Sequence, residues 1–185
     1  MKHEALVIGG SAGSFRVIAN LLEVLSGYLS IPVFLCLHRL KQVRKGFEET
    51  LANISSLTLT EPFDKEKIKA GRIYLAPANY HMLIENKKMI ALSIDDPIQY
   101  SRPSIDICFA SAAEVYKQGS LAILLSGGNQ DGTEGIAAVK RLGGYTIVQD
   151  PADCEISTMC ESAINLTIPD QILTIREIIE FVSLL

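Results

Sequence analysis

Leu6-Val7-Ile8-Gly9-Gly10-Ser11-Ala12-Gly13-Ser14 joins an apolar run to a helical pattern through a glycine-rich turn that holds a serine. The run reads as a buried strand over residues 5–9. Val17, Ile18, Leu21, Leu22 and Leu25 then fall at helical spacing, which predicts a helix over 14–26 ended by Gly27. Gly9-x-Ser11-x-Gly13 fits a nucleophile elbow, a sharp strand-to-helix turn that exposes a serine hydroxyl at the sheet edge. The same glycines also suit a backbone cradle for phosphate at a helix N-terminus. The remainder of the chain discriminates between the two.

Outward from this turn the pattern repeats. Ile31 to Leu37 is a second continuous apolar strand, ending in His38. A basic, polar loop follows over residues 39–46, then a short helix marked by Phe47, Leu51 and Ile54. Residues 57–60 and 72–76 read as strands. Two short runs, 82–85 and 89–93, flank Lys87-Lys88 and predict a hairpin. A loop over 94–103 leads to Ser104, which suits the N-cap of a helix to about Tyr116 with Asp106 in its first turn. Strands at 121–125 and 145–148 alternate with helices from Asp131-Gly132 to Leu142 and over 155–164. Thr174-Ile175-Arg176-Glu177 is a capping box that starts a last helix. Strands apolar throughout, alternating with helices, imply a sheet buried on both faces. The expected fold is doubly wound α/β, a mostly parallel sheet with helices on both faces and a small antiparallel hairpin near residues 80–93. One domain over residues 1–185 accounts for the length.

Composition narrows the function. Apolar residues make up 48% and charged residues 21%, a globular balance rather than a disordered one. A net charge of −4 argues against binding nucleic acid by phosphate neutralisation. No apolar run is long enough to insert in a membrane, and the N-terminus enters a strand at once without a signal peptide. The four cysteines are scattered; Cys36 and Cys108 read as small core residues, and no metal-binding spacing stands out. A reducing, cytoplasmic setting is expected.

Three polar side chains sit just past three apolar strands: Ser11, His38 and Asp131. In a parallel sheet those ends converge on one edge, where open α/β folds place their sites. A hydroxyl, an imidazole and a carboxylate there suit nucleophile, general base and orienting group. The order Ser…His…Asp differs from the Ser…Asp/Glu…His order of the α/β-hydrolases. An oxyanion hole requires backbone N–H groups; Ala12, just after the serine, is one candidate donor, and the glycine-rich loop 126–132, at Gly128, is the candidate for another. The dinucleotide reading lacks G-x-G-x-x-G and an acidic end to the second strand, and there is no G-K-[ST]. Residue by residue, plainer roles remain open: a backbone-satisfied His38, or a helix cap for Asp131.

Taken in order, these stretches resemble the catalytic domain of the CheB-type protein-glutamate methylesterases of bacterial chemotaxis. LVIGGSAGS at 6–14 resembles the family's nucleophile turn, and Leu37-His38 its Q-H motif. GRIYLAPANYHM at 71–82, SRPSID at 101–106 and LSGGNQDGTEG at 125–135 resemble three further family motifs. The resemblance implies that Ser11, His38 and Asp131 are a catalytic triad acting through an acyl-enzyme. It also implies release of methanol from glutamate methyl esters on chemoreceptors, deamidation of receptor glutamine, and no cofactor. It makes Arg102 and His81 candidate substrate contacts. It further suggests that the receiver domain usual in the family is absent here, or that a separate receiver protein regulates the chain. The chain departs from the family pattern at Gly128 and Asn129 (methionine and glycine in the family), at Cys160 and in the loop after His38. A non-catalytic signalling module of the same fold is the alternative these departures motivate.

Overall fold

The computed structural model describes residues 3–39 and 46–185; the basic loop expected over 39–46 falls mostly outside them. The elements in chain order are β1 (Ala5–Gly10), α1 (Phe15–Val24), β2 (Val33–Leu37), α2 (Phe47–Ile54), β3 (Thr58–Thr60) and β4 (Arg72–Leu75). The hairpin β5 (His81–Asn86) and β6 (Met89–Ser93) follows, then α3 (Ile105–Tyr116), β7 (Ser120–Leu124) and α4 (Thr133–Arg141). The last elements are β8 (Tyr145–Gln149), α5 (Thr158–Leu166), β9 (Gln171–Leu173) and α6 (Ile175–Ser183).

Seven strands form one sheet in the order β3-β4-β2-β1-β7-β8-β9, every pairing parallel, while β5 and β6 pair antiparallel in a separate ribbon. The continuous apolar runs have the expected cause. In β1, Ala5 and Val7 face one layer while Leu6 and Ile8 face the other, and all four are fully buried. One layer is built from α3, α4, α5 and the hairpin. The other is built from α1, α2 and α6. Each fully buried valine, leucine or isoleucine of this kind contributes about 1.5–3 kcal/mol of transfer free energy.

The expected strands and helices are present within a few residues, and the Thr174–Glu177 capping box is formed on both sides. β9 was not expected from the sequence. It has three residues at the sheet edge, with Ile172 nearly half exposed, so it carries no buried run to mark it. Cys36 and Cys108 are fully buried in the core, whereas the sulfurs of Cys154 and Cys160 lie 3.5 Å apart.

The sheet order sets the site. From β1 the chain moves outward through α1 to β2, on to the edge strand β3, back to β4 between them, and then returns to place β7 on the other side of β1. The connections leaving β1 and β7 therefore cross opposite faces, opening a crevice at their C-terminal ends.

Candidate active site

Ser11 follows β1 in a turn stitched to the neighbouring strand end. Its amide donates to the Ser126 carbonyl (2.9 Å), and its own carbonyl accepts from the Ser14 amide (3.0 Å) and hydroxyl (2.6 Å). Gly13 closes the turn at φ +84°, in the left-handed region, and a Cβ there would come within 2.7 Å of both Glu155 Cβ and Ser126 Oγ. Only glycine fits both the backbone and the space.

His38 leaves β2 with its amide bonded to the Gly10 carbonyl (3.2 Å), so its ring hangs over the Ser11 turn. Its Nδ1 lies 3.1 Å from Ser11 Oγ, and its Nε2 lies 2.6 Å from Asp131 Oδ2. A carboxylate only accepts, so Nε2 carries the proton and Nδ1 presents its lone pair to the serine hydroxyl. The ring is turned the other way from trypsin-type triads, in which Nε2 meets the serine. The structure thus brings Ser11, His38 and Asp131 into one hydrogen-bonded chain at the crevice.

Asp131 is fully buried. Besides His38, Oδ2 accepts from the Ile105 amide (2.7 Å); Oδ1 accepts from the Ser104 hydroxyl (2.8 Å) and the Asp106 amide (3.0 Å). The carboxylate therefore sits on the N-terminus of α3, where free amides and the helix dipole favour negative charge. Burial works to raise its pKa, but the bonds from His38, the two amides and Ser104 outweigh it and hold it below the ordinary range. The cap reading of Asp131 is altered in an instructive way: it caps α3 and not the helix it precedes. Asp106, in the first turn of α3, returns the favour. Its Oδ1 accepts from the amides of Gly132 (2.8 Å) and Gly135 (2.7 Å) at the start of α4.

Of the two candidate oxyanion donors, Ala12 directly follows Ser11, and Gly128 follows Gly127, where an added Cβ would lie 3.1 Å from Ser11 Cβ. The 126–128 turn is held to the 156–159 segment, where the Gly127 amide donates to the Ile156 carbonyl (3.1 Å) and Gly127 O accepts from Met159 N (3.0 Å). Ser126 Oγ lies 3.0 Å from the carbonyls of Ala12 and Ile156. The Ala12 and Gly128 amides make no hydrogen bond among the described residues.

His81 and Arg102, expected as substrate contacts, both make hydrogen bonds within the protein. His81 is fully buried; its Nδ1 accepts from the Ser104 amide and its Nε2 donates to the Asp96 carbonyl, each at 3.2 Å. It supports the cap of α3 and has no ring nitrogen left for a substrate. Arg102 bonds through Nε and Nη2 to Asn79 Oδ1 (3.2 and 2.8 Å) and through Nη1 to the carbonyls of Ile94 (2.5 Å) and Asp95 (2.8 Å). Its guanidinium fastens the 94–103 loop beside the site. Ser104 caps α3 with Asp106 in its first turn, as expected; sequence reasoning missed Ser101, whose Oγ stands 3.3 Å from His38 Nδ1, and the bonds by which Ser104 reaches Asp131 and Asp106 reaches the start of α4. The 101–106 motif was the available signal, since five of its residues act within this network or hold it.

A parallel α/β domain with a hydroxyl, an imidazole and a carboxylate joined at its switch point has the form of a serine-hydrolase-type enzyme. The model of the CheB methylesterase family matches residues 6–182. A protein of Leptospira interrogans, named as a candidate protein-glutamate methylesterase/protein-glutamine glutaminase, is 38% identical over 97% of this chain and 93% of its own length. A Clostridium acetobutylicum protein-glutamate methylesterase/protein-glutamine glutaminase is 30% identical over 90% of this chain, which spans 50% of that protein. The crystal structure of the Thermotoga maritima CheB methylesterase catalytic domain superposes with a TM-score of 0.91 at 31% identity, covering 99% of this chain and 98% of that one. The chain belongs to the CheB methylesterase family. It is a methylesterase with that family's catalytic-domain fold. Among the described residues no helix is long and apolar enough to cross a membrane, and no cluster of side chains is arranged to hold a metal.

Proposed function

We propose that this chain hydrolyses glutamate methyl esters on chemoreceptor-type proteins through a Ser11–His38–Asp131 triad and an acyl-enzyme, and that it deamidates glutamine side chains by the same route. The carrying observation is the unbroken chain from Ser11 Oγ through both ring nitrogens of His38 to the Asp131 carboxylate, at 3.1 and 2.6 Å. The names of the relatives support the glutamate ester and the glutamine as substrate groups, and the resemblance to the chemotaxis family supports a chemoreceptor as their bearer.

In this reading Ser11 Oγ attacks the ester carbonyl carbon while His38 Nδ1 takes the hydroxyl proton. The resulting imidazolium is stabilised through Nε2 by Asp131 and hands the proton to departing methoxide, which leaves as methanol. The Ala12 and Gly128 amides receive the developing negative charge on the carbonyl oxygen, an interaction worth about 10²–10³ in rate per donor. With ammonia as leaving group the same steps deamidate glutamine.

The test is methanol release from membranes carrying methylated chemoreceptors, comparing the natural chain with Ser11→Ala. The expected result is release by the natural chain and a loss of at least about 10³-fold in the variant with its melting temperature kept. Equal release by both proteins would overturn the nucleophile assignment. Receptor binding without turnover would favour the non-catalytic signalling module.

A further inference from the structure

Two serine hydroxyls, not one, reach the same nitrogen of His38. Ser11 Oγ is 3.1 Å from Nδ1 and Ser101 Oγ is 3.3 Å from it. A neutral imidazole has one lone pair there, so the two hydroxyls take turns.

Ser101 is held for this position. It ends a tight turn in which Ile98 and Ser101 exchange backbone bonds of 3.1 and 2.8 Å, and whose central residues, Gln99 and Tyr100, both lie at positive φ (+48° and +62°). Neither is glycine, so the turn is kept against a local steric cost that its surroundings must over-determine. Arg102 supplies part of that hold through Asn79 and two loop carbonyls. Asn129 supplies the rest: its Nδ2 donates to the Gln99 carbonyl (3.1 Å) and to Ser101 Oγ (3.3 Å), and its Oδ1 accepts from the Asp131 amide (3.3 Å). Asn129 thus ties the turn to the loop that carries the triad carboxylate.

The hydrogen bonds leave Ser101 one free choice. Its oxygen accepts from Asn129, and its single hydrogen has two acceptors at nearly equal reach, His38 Nδ1 at 3.3 Å and Gln99 O at 3.4 Å. Turning the hydroxyl from one to the other exchanges one bond for a similar one.

We propose that Ser101 is a positioning residue for the second half of the reaction, holding His38 Nδ1 by its hydroxyl once Ser11 has become acylated. This rests on the triad reading above. In the free enzyme the Ser11 hydroxyl occupies Nδ1. In the acyl-enzyme Ser11 Oγ is an ester oxygen without a hydrogen, so Nδ1 loses its donor and the ring is fastened only at Nε2, by Asp131. Ser101 turns its hydrogen onto Nδ1 and keeps the ring in register. When the hydrolytic water arrives, the Ser101 hydrogen swings back to Gln99 O. Water then forms the new C–O bond as its proton passes to Nδ1; the C–Oγ bond breaks, and that proton returns to Ser11 Oγ. The product is a free carboxylic acid and the original serine.

The probe is 4-nitrophenyl acetate with the whole chain, followed before and into the steady state. The initial burst reads acetylation of Ser11 and the slow phase reads deacetylation, with the adduct located by mass spectrometry. Ser101→Ala is expected to slow the second phase about 5- to 10-fold while leaving the burst rate within about 2-fold. Ser101→Thr, which keeps a rotatable hydroxyl, should restore the slow phase, and Asn129→Ala should slow it less than Ser101→Ala does. A purely structural role would lower both phases together and would not be rescued by threonine. Equal loss in both phases, no change in either, or failure of the threonine rescue overturns the proposal. Absence of a Ser11 adduct in the natural chain would overturn the triad reading and this inference together; an adduct with unaltered deacetylation in Ser101→Ala would overturn this inference alone.

Discussion

The starts of α3 and α4 lie side by side and exchange carboxylates, yet the two acids behave in opposite ways. Asp131 lends both oxygens to α3 and to His38 and takes four hydrogen bonds, two on each oxygen. Asp106 lends one oxygen to two amides of α4 and faces the negative charge of Asp131. Burial, reinforced by that charge, pushes Asp106 up to about 6 against the pull of the Gly135 and Gly132 amides. Asp131, more deeply buried, is held below the ordinary range by its donors. Burial alone does not decide whether a carboxylate is charged; the number of donors it collects does. A site that needs a fixed negative charge behind its imidazole obtains it from a helix end.

The largest effect is expected at Asp131. Asp131→Asn places one oxygen and one NH2 group where four donors converge, and it disfavours the ring form with hydrogen on Nε2. Ester turnover is expected to fall about 10³–10⁴-fold. The buried donors left facing the NH2 group should cost about 1–3 kcal/mol of stability, read by urea denaturation. A variant with near-natural turnover would show that the carboxylate serves α3 and not the histidine.

Asp106→Asn has a smaller expected effect on turnover. One amide oxygen can still accept from Gly132 and Gly135, so turnover should stay within about 10-fold of the natural value. The informative change is in pH dependence. The raised pKa of Asp106 means that its contribution to stability is full below its unfolded value, ~3.9, and is lost as pH rises through about 6. The lowered pKa of Asp131 gives the reverse: stability present above ~3.9 and lost as pH falls through the lower folded value. Urea midpoints at about pH 4.5 and pH 7 should show the natural chain losing stability relative to Asp106→Asn at the higher pH. A difference between the two proteins that does not vary with pH would remove the contrast between the acids.

Gly135→Ala has the smallest expected effect. A Cβ there would meet Phe109 Cβ at 2.7 Å and the Asp106 Cα at 3.1 Å, forcing α3 and α4 apart where the carboxylates cross. Overpacking outweighs the better helix propensity of alanine, for a net loss of about 1–2 kcal/mol in thermal or chemical denaturation. Unchanged stability would mean that the helix starts are not tightly coupled.

Much of this was legible in the sequence for a simple physical reason. A strand buried on both faces must be apolar at every position, so β1, β2 and β7 announce themselves, and a polar residue just past each end stands out. Ser11 and His38 were found that way, and Asp131 as the acid in the loop after β7. β9 was not, because three half-buried edge residues carry no such pattern. The ring orientation of His38 was invisible too, since it depends on which way the β2 end and the α3 start approach each other. His81 and Arg102 looked like cleft residues because their motifs lie near the site. Only the folded 94–103 loop shows both ring nitrogens of His81 bonded to Ser104 and Asp96, and four of the five guanidinium donors of Arg102 bonded to Asn79 and backbone carbonyls. Ser101 went unremarked because its reach to His38 comes from a turn with two non-glycine residues at positive φ, which local preference argues against.

The double duty of Asp131 bears on inheritance. A descendant chain released from selection for ester hydrolysis is free to replace Ser11, which sits in a turn at the surface of the crevice. It is not free to replace Asp131, because two amides and a hydroxyl at the start of α3 would be left without their acceptor. In lineages that drift away from catalysis the aspartate is therefore expected to outlast the serine, so that loss of Ser11 should precede loss of Asp131 among relatives.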